Sequence, residues 1–391
     1  MKAVKIKEGV YWVGGIDWNL RNFHGYLTQR GSTYNAYLIV DEKVTLVDTV
    51  KHYLYDEMIE RISSIIDPSE IDYIVSNHVE MDHSGGLPKL MEVTGATLFT
   101  SPKGKEGLEF HYDSSDWDMK VVKPGAPLEL GKRTLNFILT PMVHWPDNMV
   151  VYMPEEKILF SNDSFGQHYA TSERFDDEVL LDIALEEAKK YFANIVMGYR
   201  GQVKRELDAI ENHGLELDII APSHGIVWRK YTDKIIAAYR KWAGNKTDNK
   251  AVVVYDTMWG STEEIAYRIV EMFEGLGVET ALRNLKKNHI SDVITDVIDA
   301  EYICVGSPTL NNNMLPTVAS FLTYLKGLSP RGRKALAFGS YGWSGQSIGQ
   351  VADMLEESKF GVLGQIKIRY RPVKEDLKAK INEIKGEIKK K

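Results

Sequence analysis

Two imidazoles and two carboxylates stand within the six residues His78-Val79-Glu80-Met81-Asp82-His83, directly after the apolar run Ile71–Val75. Crowding ionisable side chains this closely costs solvation energy unless a cation compensates, so the cluster reads as metal-binding. Three more candidate ligands occupy similar contexts. His144 follows the apolar run Leu135–Leu139, Asp163 follows Lys157–Phe160, and His224 follows Leu217–Ala221. Each sits just past the carboxyl end of an expected strand, where functional loops converge in layered α/β folds. A single His or Asp in such a place is more often a capping or surface residue than a ligand. The density of the cluster at 78–83 outweighs that reading for the set as a whole.

Four histidines and three carboxylates suffice for two metal ions. We assign His78, Glu80 and His144 to one ion, and Asp82, His83 and His224 to the other. Asp163 bridges them, because a carboxylate spans two cations and a neutral imidazole does not. His52, His111, His213 and His289 lie in polar surroundings and are expected to face solvent. His168, close to Asp163 in sequence, is a candidate proton donor beside the metals, as are His24 and Tyr26.

A second constellation lies downstream. Thr257, Met258, Trp259, Gly260, Ser261 and Thr262 form a turn between an expected strand and an expected helix. Hydroxyls and backbone amides at a helix start bind phosphate, although helix capping by Ser261 or Thr262 explains such a turn equally well. There is no Gly-x-Gly-x-x-Gly and no Gly-Lys-Thr, so the turn suits FMN better than a dinucleotide or ATP. Two more loops follow expected strands: Pro308, Thr309, Leu310, Asn311 and Asn312, then Ser340, Tyr341, Gly342, Trp343, Ser344 and Gly345. Trp259, Tyr341 and Trp343 can flank an isoalloxazine ring. Three such loops in this order indicate a flavodoxin-like FMN site.

The elements that must carry these loops fall into two patterns. Upstream, short strand-like runs (Tyr11–Gly14, Tyr37–Val40, Val44–Asp48, Thr134–Leu139) are interrupted by helical patterns at Tyr55–Ile66 and Val179–Tyr191. Downstream, strands and helices alternate: Ala251–Tyr255, Thr262–Leu276, Tyr302–Gly306, Pro316–Leu325, Lys334–Ser340 and Ser347–Glu357. Alternation of this kind implies a parallel sheet covered on both faces. The polar run Ala243–Lys250 is the expected linker, giving a metal domain over 1–246 and an FMN domain over 250–391. The lysine-rich end, Glu383–Lys391, is expected to be a frayed, solvated helix.

At 391 residues the chain has room for two cores. A net charge of −7 argues against nucleic-acid binding. The single cysteine, Cys304, excludes an intrachain disulfide and a thiolate-held cluster. No apolar segment is long enough to span a bilayer, and lysines interrupt the amino terminus where a signal peptide needs an apolar core. The cytoplasm is the expected location.

The motif at 78–83 resembles the His-x-His-x-Asp-His signature of the metallo-β-lactamase fold, with Glu80 in place of the second His. A carboxylate there moves the preference from zinc toward iron or manganese, and the chemistry from hydrolysis toward redox. An αββα sandwich with this motif, fused to a flavodoxin-like doubly wound parallel sheet, resembles the flavodiiron proteins over essentially the whole chain. The segments carrying the likeness are the metal hexapeptide, Val143–Asp147, Asn162-Asp163 and Tyr255–Thr262. The resemblance implies a non-haem diiron centre with the same seven ligands, FMN, and reduction of O2 to water, NO to N2O, or both. It further implies an external donor, rubredoxin or reduced F420, and a head-to-tail homodimer or dimer of dimers that sets one chain's FMN beside the other's metals. A zinc hydrolase with a flavodoxin-like accessory domain is the alternative; Glu80 and the flavin site argue against it.

Overall fold

The structure is a computed structural model and describes residues 1–123, 125–212 and 214–389. His213, Lys390 and Lys391 lie outside the described residues. The chain forms two compact units, Met1–Phe192 with Tyr199–Arg240, and Ala193–Gly198 with Lys241–Lys391. Regular structure takes up half of the expected linker: helix Thr232–Ala243 reaches its first residue and strand Asp248–Tyr255 starts within it, leaving 244–247 as the connection.

Two sheets make up the first unit. One runs in the order Val4–Lys7, Val10–Trp12, Tyr37–Ile39, Thr45–Val47, Tyr73–Ser76, Thr97–Thr100, Met119–Val121. The other runs Leu128–Glu129, Thr134–Leu139, Met149–Met153, Ile158–Asn162, Ile219–Pro222. Strand periodicity divides the side chains between two cores. Tyr37, Ile39, Val47 and Val75 point inward against Phe137, Val151, Ile158 and Phe160 of the second sheet. Their neighbours Leu38, Leu46 and Ile74 point outward, under Met58 and Ile62 of helix Tyr55–Ser63 and Leu90 of helix Leu87–Thr94. Strands buried on both faces read as continuous apolar runs, which is why these segments lack polar alternation. Helices Leu181–Tyr191, Arg200–Asn212 and Thr232–Ala243 accompany the second sheet, where the Tyr239 ring packs on Phe165 at 4.4 Å. This is the expected αββα sandwich.

The second unit is one five-stranded parallel sheet ordered Glu279–Asn284, Asp248–Tyr255, Ala300–Gly306, Lys334–Tyr341, Gly361–Arg369. Its strand order reverses between Asp248–Tyr255 and Ala300–Gly306, so the loops leaving their carboxyl ends diverge and open a crevice. The terminal helix, Lys374–Lys389, does not fray as expected. Its Leu377 and Ile384 are buried in the core with Ile265, Ile269, Phe273 and Ile366, because apolar residues recur among its lysines at helical spacing.

Gly339 shows how tightly the crevice floor is packed, since a Cβ there would lie 1.9 Å from the Ser307 carbonyl oxygen. Backbone cannot yield as a flexible side chain does. Gly339→Ala is therefore expected to cost about 1–3 kcal/mol or more, read as a lowered denaturation midpoint. An unchanged midpoint would contradict this packing.

Candidate metal and flavin sites

All seven expected metal ligands come together in the first unit, and Asp163 lies at their centre. Its Oδ2 is 3.2 Å from His144 Nε2 and 3.7 Å from His78 Nε2. Its Oδ1 is 3.1 Å from His83 Nε2 and 3.3 Å from His224 Nε2. Glu80 Oε2 stands 3.4 Å from both His78 and His144, whereas Asp82 presents one oxygen to His83 and the other to His224, each at 3.4 Å. The donor atoms of His78, His144 and Asp163 lie within 4.8 Å of one another, as do those of Asp82, His83 and His224. The geometry thus sorts the residues into the two sets read from the sequence.

These separations match the edges of coordination polyhedra with bonds of about 2.1 Å. Among the described residues, His78 Nε2, both nitrogens of His83 and both oxygens of Asp82 and Asp163 are buried without a hydrogen-bond partner. Buried polar atoms are rarely left so, and a pair of cations would satisfy all of them but His83 Nδ1, since His83 faces the carboxylates through Nε2. Three carboxylates against two divalent ions also bring the site close to charge balance. The residues fit a dinuclear centre.

Neighbours outside the seven expected ligands hold those side chains in place. Asp147 accepts from His78 Nδ1 and from the Val79 amide, both at 2.8 Å, which turns His78 Nε2 toward the centre. His224 Nδ1 lies 2.9 Å from the Thr33 carbonyl oxygen, with the same effect. Asp48, in the left-handed region at φ 57°, accepts from the Asn77 amide and side chain at 2.8 and 2.9 Å. Three ligand loops are tied by side chains: Asn148 donates to Asn162 Oδ1 at 2.9 Å, and Asn162 donates to Ser223 Oγ at 3.1 Å.

Burial alone would strip the imidazoles of their protons, but the surrounding carboxylates reverse that. Hydrogen bonds to Asp147 and Glu80 raise His78 to about 10. Asp163 and Glu80 likewise raise His144 to about 10, and the charges of Asp82 and Asp163 raise His83 to about 9. Burial opposes ionisation of Asp163 too, yet His83, His144 and His224 hold it well below the usual carboxylate range. Protons here stand in for metal charge.

The three candidate proton donors have different surroundings. His24 has a side chain 72% exposed and places Nε2 2.9 Å from Glu80 Oε1, so it links solvent to a ligand. His168 is fully buried, with Nδ1 2.7 Å from Ser32 Oγ and its ring 5.0 Å from that of His224; burial first, then the charge of His224, keep it neutral. Tyr26 is buried against His168, ring to ring at 5.2 Å. Lys51 escaped the sequence reading because Val50-Lys51-His52 looks like ordinary surface. Its ammonium lies over the rings of Tyr34, Phe23 and Tyr53 at 4.6, 5.1 and 5.9 Å. Burial lowers its pKa, against the opposing charges of Asp82, Asp17 and Glu80. Of the remaining histidines, His52 and His111 are exposed as expected. His289 is not solvent-facing: it is half-buried and caps helix Ile290–Val297, its Nδ1 accepting from the Ser291 amide.

In the second unit a cavity of about 670 Å³ opens at the strand ends around the order reversal. Met258, Trp259, Ser261, Pro308, Thr309, Leu310, Asn311, Asn312, Ser340, Tyr341, Gly342, Trp343 and Ser344 line it, as expected. Thr257, Gly260, Thr262 and Gly345 are not among the lining residues; they shape the walls instead. Thr257 Oγ1 accepts from the Gly260 amide at 3.1 Å, and the Thr262 and Ser340 hydroxyls are 2.9 Å apart. Gly345 sits against the Tyr341 ring, next to helix Gln346–Glu357. Tyr370 and Arg371 also line the cavity, brought there by the pairing of strand Gly361–Arg369 with Lys334–Tyr341. Helix Ser261–Glu274 begins at Gly260, φ 85°, without a side-chain cap among the described residues. Capping by Ser261 or Thr262 is thereby set aside, and the first-turn amides are left to an anion. Trp259 and Trp343 are 93% and 87% exposed beside the cavity, placed to cover a planar ring. The residues fit a flavin mononucleotide.

Two family models match the chain. The model for the ODP family beta lactamase matches residues 33–225, and that for flavodoxin matches 253–384. A nitric oxide reductase of Moorella thermoacetica is 45% identical, covering 93% of this chain and 92% of that protein. A rubredoxin-oxygen oxidoreductase of Megalodesulfovibrio gigas is 44% identical, covering 91% and 89%. The crystal structure of the flavodiiron protein from Giardia intestinalis superimposes with a TM-score of 0.95 at 36% identity, covering 100% and 96%. With fold, ligand geometry and full-length relatives in agreement, the chain belongs to the flavodiiron protein family.

Proposed function

We propose that this chain reduces O2 to water, NO to N2O, or both, at two irons held by His78, Glu80, Asp82, His83, His144, Asp163 and His224, with FMN in the second unit's cavity. The observation that most supports it is Asp163, whose two oxygens each face the imidazoles of a different ligand set. The names of the relatives supply the two gases. When bound, two ferrous ions and reduced FMN supply the four electrons that convert one O2 to two waters. On this reading residues 1–246 form the diiron domain and 250–391 the FMN domain.

The chain's own residues orient, balance charge and bring protons. Asp147 and the Thr33 carbonyl fix the imidazoles. His24 connects Glu80 to solvent and serves as the proton entry; Tyr26 and His168 form the buried wall behind His224. Lys51, whose ammonium is favoured by the charges of Asp82 and Glu80 against the cost of burial, favours anionic ligands at the metals. Lys51→Met is expected to weaken azide binding to the oxidised centre about tenfold, with recovery in Lys51→Arg. Equal azide affinity in both variants would remove Lys51 from this role.

In the metal-free protein the raised values of His78, His83 and His144 contribute stability that is complete below about pH 6.5 and lost as pH rises through 9–10. Metals must displace those protons, so affinity rises with pH. Loading at pH 7 should release on the order of three protons per chain, counted by pH-stat during addition of ferrous or zinc ions. Loading without proton release would contradict the electrostatics.

We further propose a head-to-tail homodimer, or a dimer of such dimers. It is supported by the exposed Trp259 and Trp343, and by charge: residues 241–391 carry 22 Lys and Arg against 18 Asp and Glu in a chain of net −7. An external carrier, rubredoxin or reduced F420, delivers electrons. Among the described residues no helix is long and apolar enough to cross a membrane. The zinc-hydrolase alternative is not favoured, since hydrolysis has no use for a flavin cavity. Mixing photoreduced protein anaerobically with O2 or NO tests the proposal: rapid flavin reoxidation by either gas is expected, and reoxidation no faster than free FMN would overturn it.

A further inference from the structure

We propose that Lys286 sets the phosphate turn of the flavin cavity and makes the site select the phosphorylated flavin over the same flavin without phosphate. The assignment rests on the FMN reading above and gives it a cation from outside the turn. The turn itself is set among acids. Asp256, buried, precedes it, and Glu263 and Glu264 stand in the first turn of the helix that follows. A phosphate dianion at those amides meets like charge on three sides unless a cation offsets it. Arg371, the cation among the cavity-lining residues, follows strand Gly361–Arg369, three places along the sheet from Asp248–Tyr255. Lys286 is closer. It follows Glu279–Asn284, the strand paired directly with Asp248–Tyr255. Its ammonium lies 3.2 Å from Asp256 Oδ1 and donates to the Thr257 carbonyl oxygen at 2.6 Å.

The backbone around Lys286 is held so that this reach is maintained. The Leu285 amide donates to the Tyr255 carbonyl oxygen at 2.9 Å, and the Lys286 amide donates to Asn284 Oδ1 at 2.9 Å. The Lys287 and Asn288 amides both close on the Asn284 carbonyl oxygen, at 2.9 and 2.8 Å. In a trans peptide the carbonyl oxygen and the next amide hydrogen point in opposite directions. With the Thr257 carbonyl drawn onto Lys286, the Met258 amide is turned the other way, and Met258 lines the cavity. Among the described residues that amide makes no hydrogen bond of its own. An exposed lysine paired with a carboxylate is usually worth little, and the Lys286 side chain is 54% exposed. Asp256 sets this pair apart. Its carboxylate is buried, accepts from the Thr257 amide and the Thr317 hydroxyl, and so keeps its charge fixed beneath the turn. Lys286 offsets that charge and orients the turn with the same ammonium group.

Titrating the whole deflavinated chain with FMN and with riboflavin, followed by quenching of flavin fluorescence, tests the assignment. The parent should bind FMN more tightly than riboflavin, and added salt should weaken FMN the more. Lys286→Met should weaken FMN binding about tenfold or more and riboflavin binding by less than about twofold. Lys286→Arg, which keeps the charge, should regain most of the FMN affinity. Unchanged FMN affinity in Lys286→Met would overturn the assignment. Equal losses for the two flavins would leave Lys286 a prop of the turn without selectivity, and overturn it too. So would a Lys286→Arg chain no better than Lys286→Met, or a parent that binds the two flavins equally. A parent that binds neither flavin would strike the FMN reading itself, and is seen before any variant is made.

Discussion

Asp163→Ala is expected to remove both metals and all turnover in one step. Each Asp163 oxygen serves a different ligand set, so the substitution takes an anionic donor from both ions at once. The four imidazoles then converge on a cavity with two carboxylates in place of three, and the remaining buried donors lose their common partner. Metal content should fall from about two ions per chain to a few tenths or less, and O2 or NO consumption by about a thousandfold or more. The flavin, held by a separate unit, should stay at its parental level. An Asp163→Ala protein that keeps its iron and its activity would refute the bridging role. By contrast, Asp147→Ala removes an orienting partner and not a ligand, so a partial loss of about 10–100-fold in metal affinity is expected from the same assay.

Mixing two inactive variants is expected to restore activity. In a head-to-tail dimer, one chain's flavin serves the other chain's metals. Asp163→Ala keeps the flavin and loses the metals. Ser261→Asp sets a negative charge at the uncapped helix start, where the phosphate would bind, and should lose the flavin while keeping the metals. Co-expressed at equal levels, half the dimers are mixed, and each of these contains one intact flavin–metal pair across the interface. About a quarter of the parental activity per chain should return. Electron transfer within a chain predicts no activity from the mixture, because neither variant carries both cofactors.

Much of this was legible in the sequence, for identifiable reasons. The ligands stand out because four ionisable groups in six residues have no cheap apolar explanation, and because each of the other three follows an apolar strand. The second unit's sheet shows itself through alternation of buried strands and amphipathic helices. What was missed depends on contacts distant in sequence. Asp147 and His78 are 69 residues apart, and the Asn148–Asn162–Ser223 links join three separate loops. Lys51 gains its setting only when Phe23, Tyr34 and Tyr53 fold around it. Tyr370 and Arg371 reach the flavin cavity from the end of the neighbouring strand, Gly361–Arg369, which pairs with Lys334–Tyr341. The terminal helix misled through composition, since its lysines mask the helical spacing of Leu377 and Ile384.

The most direct test of a diiron flavoprotein is the iron, zinc and flavin content of the protein purified anaerobically from iron-replete cells. About two irons and one FMN per chain are predicted from the two ligand sets and the cavity at the strand ends of the second unit. Zinc in place of iron under those conditions, with or without flavin, would contradict the account and move the first unit to hydrolytic chemistry.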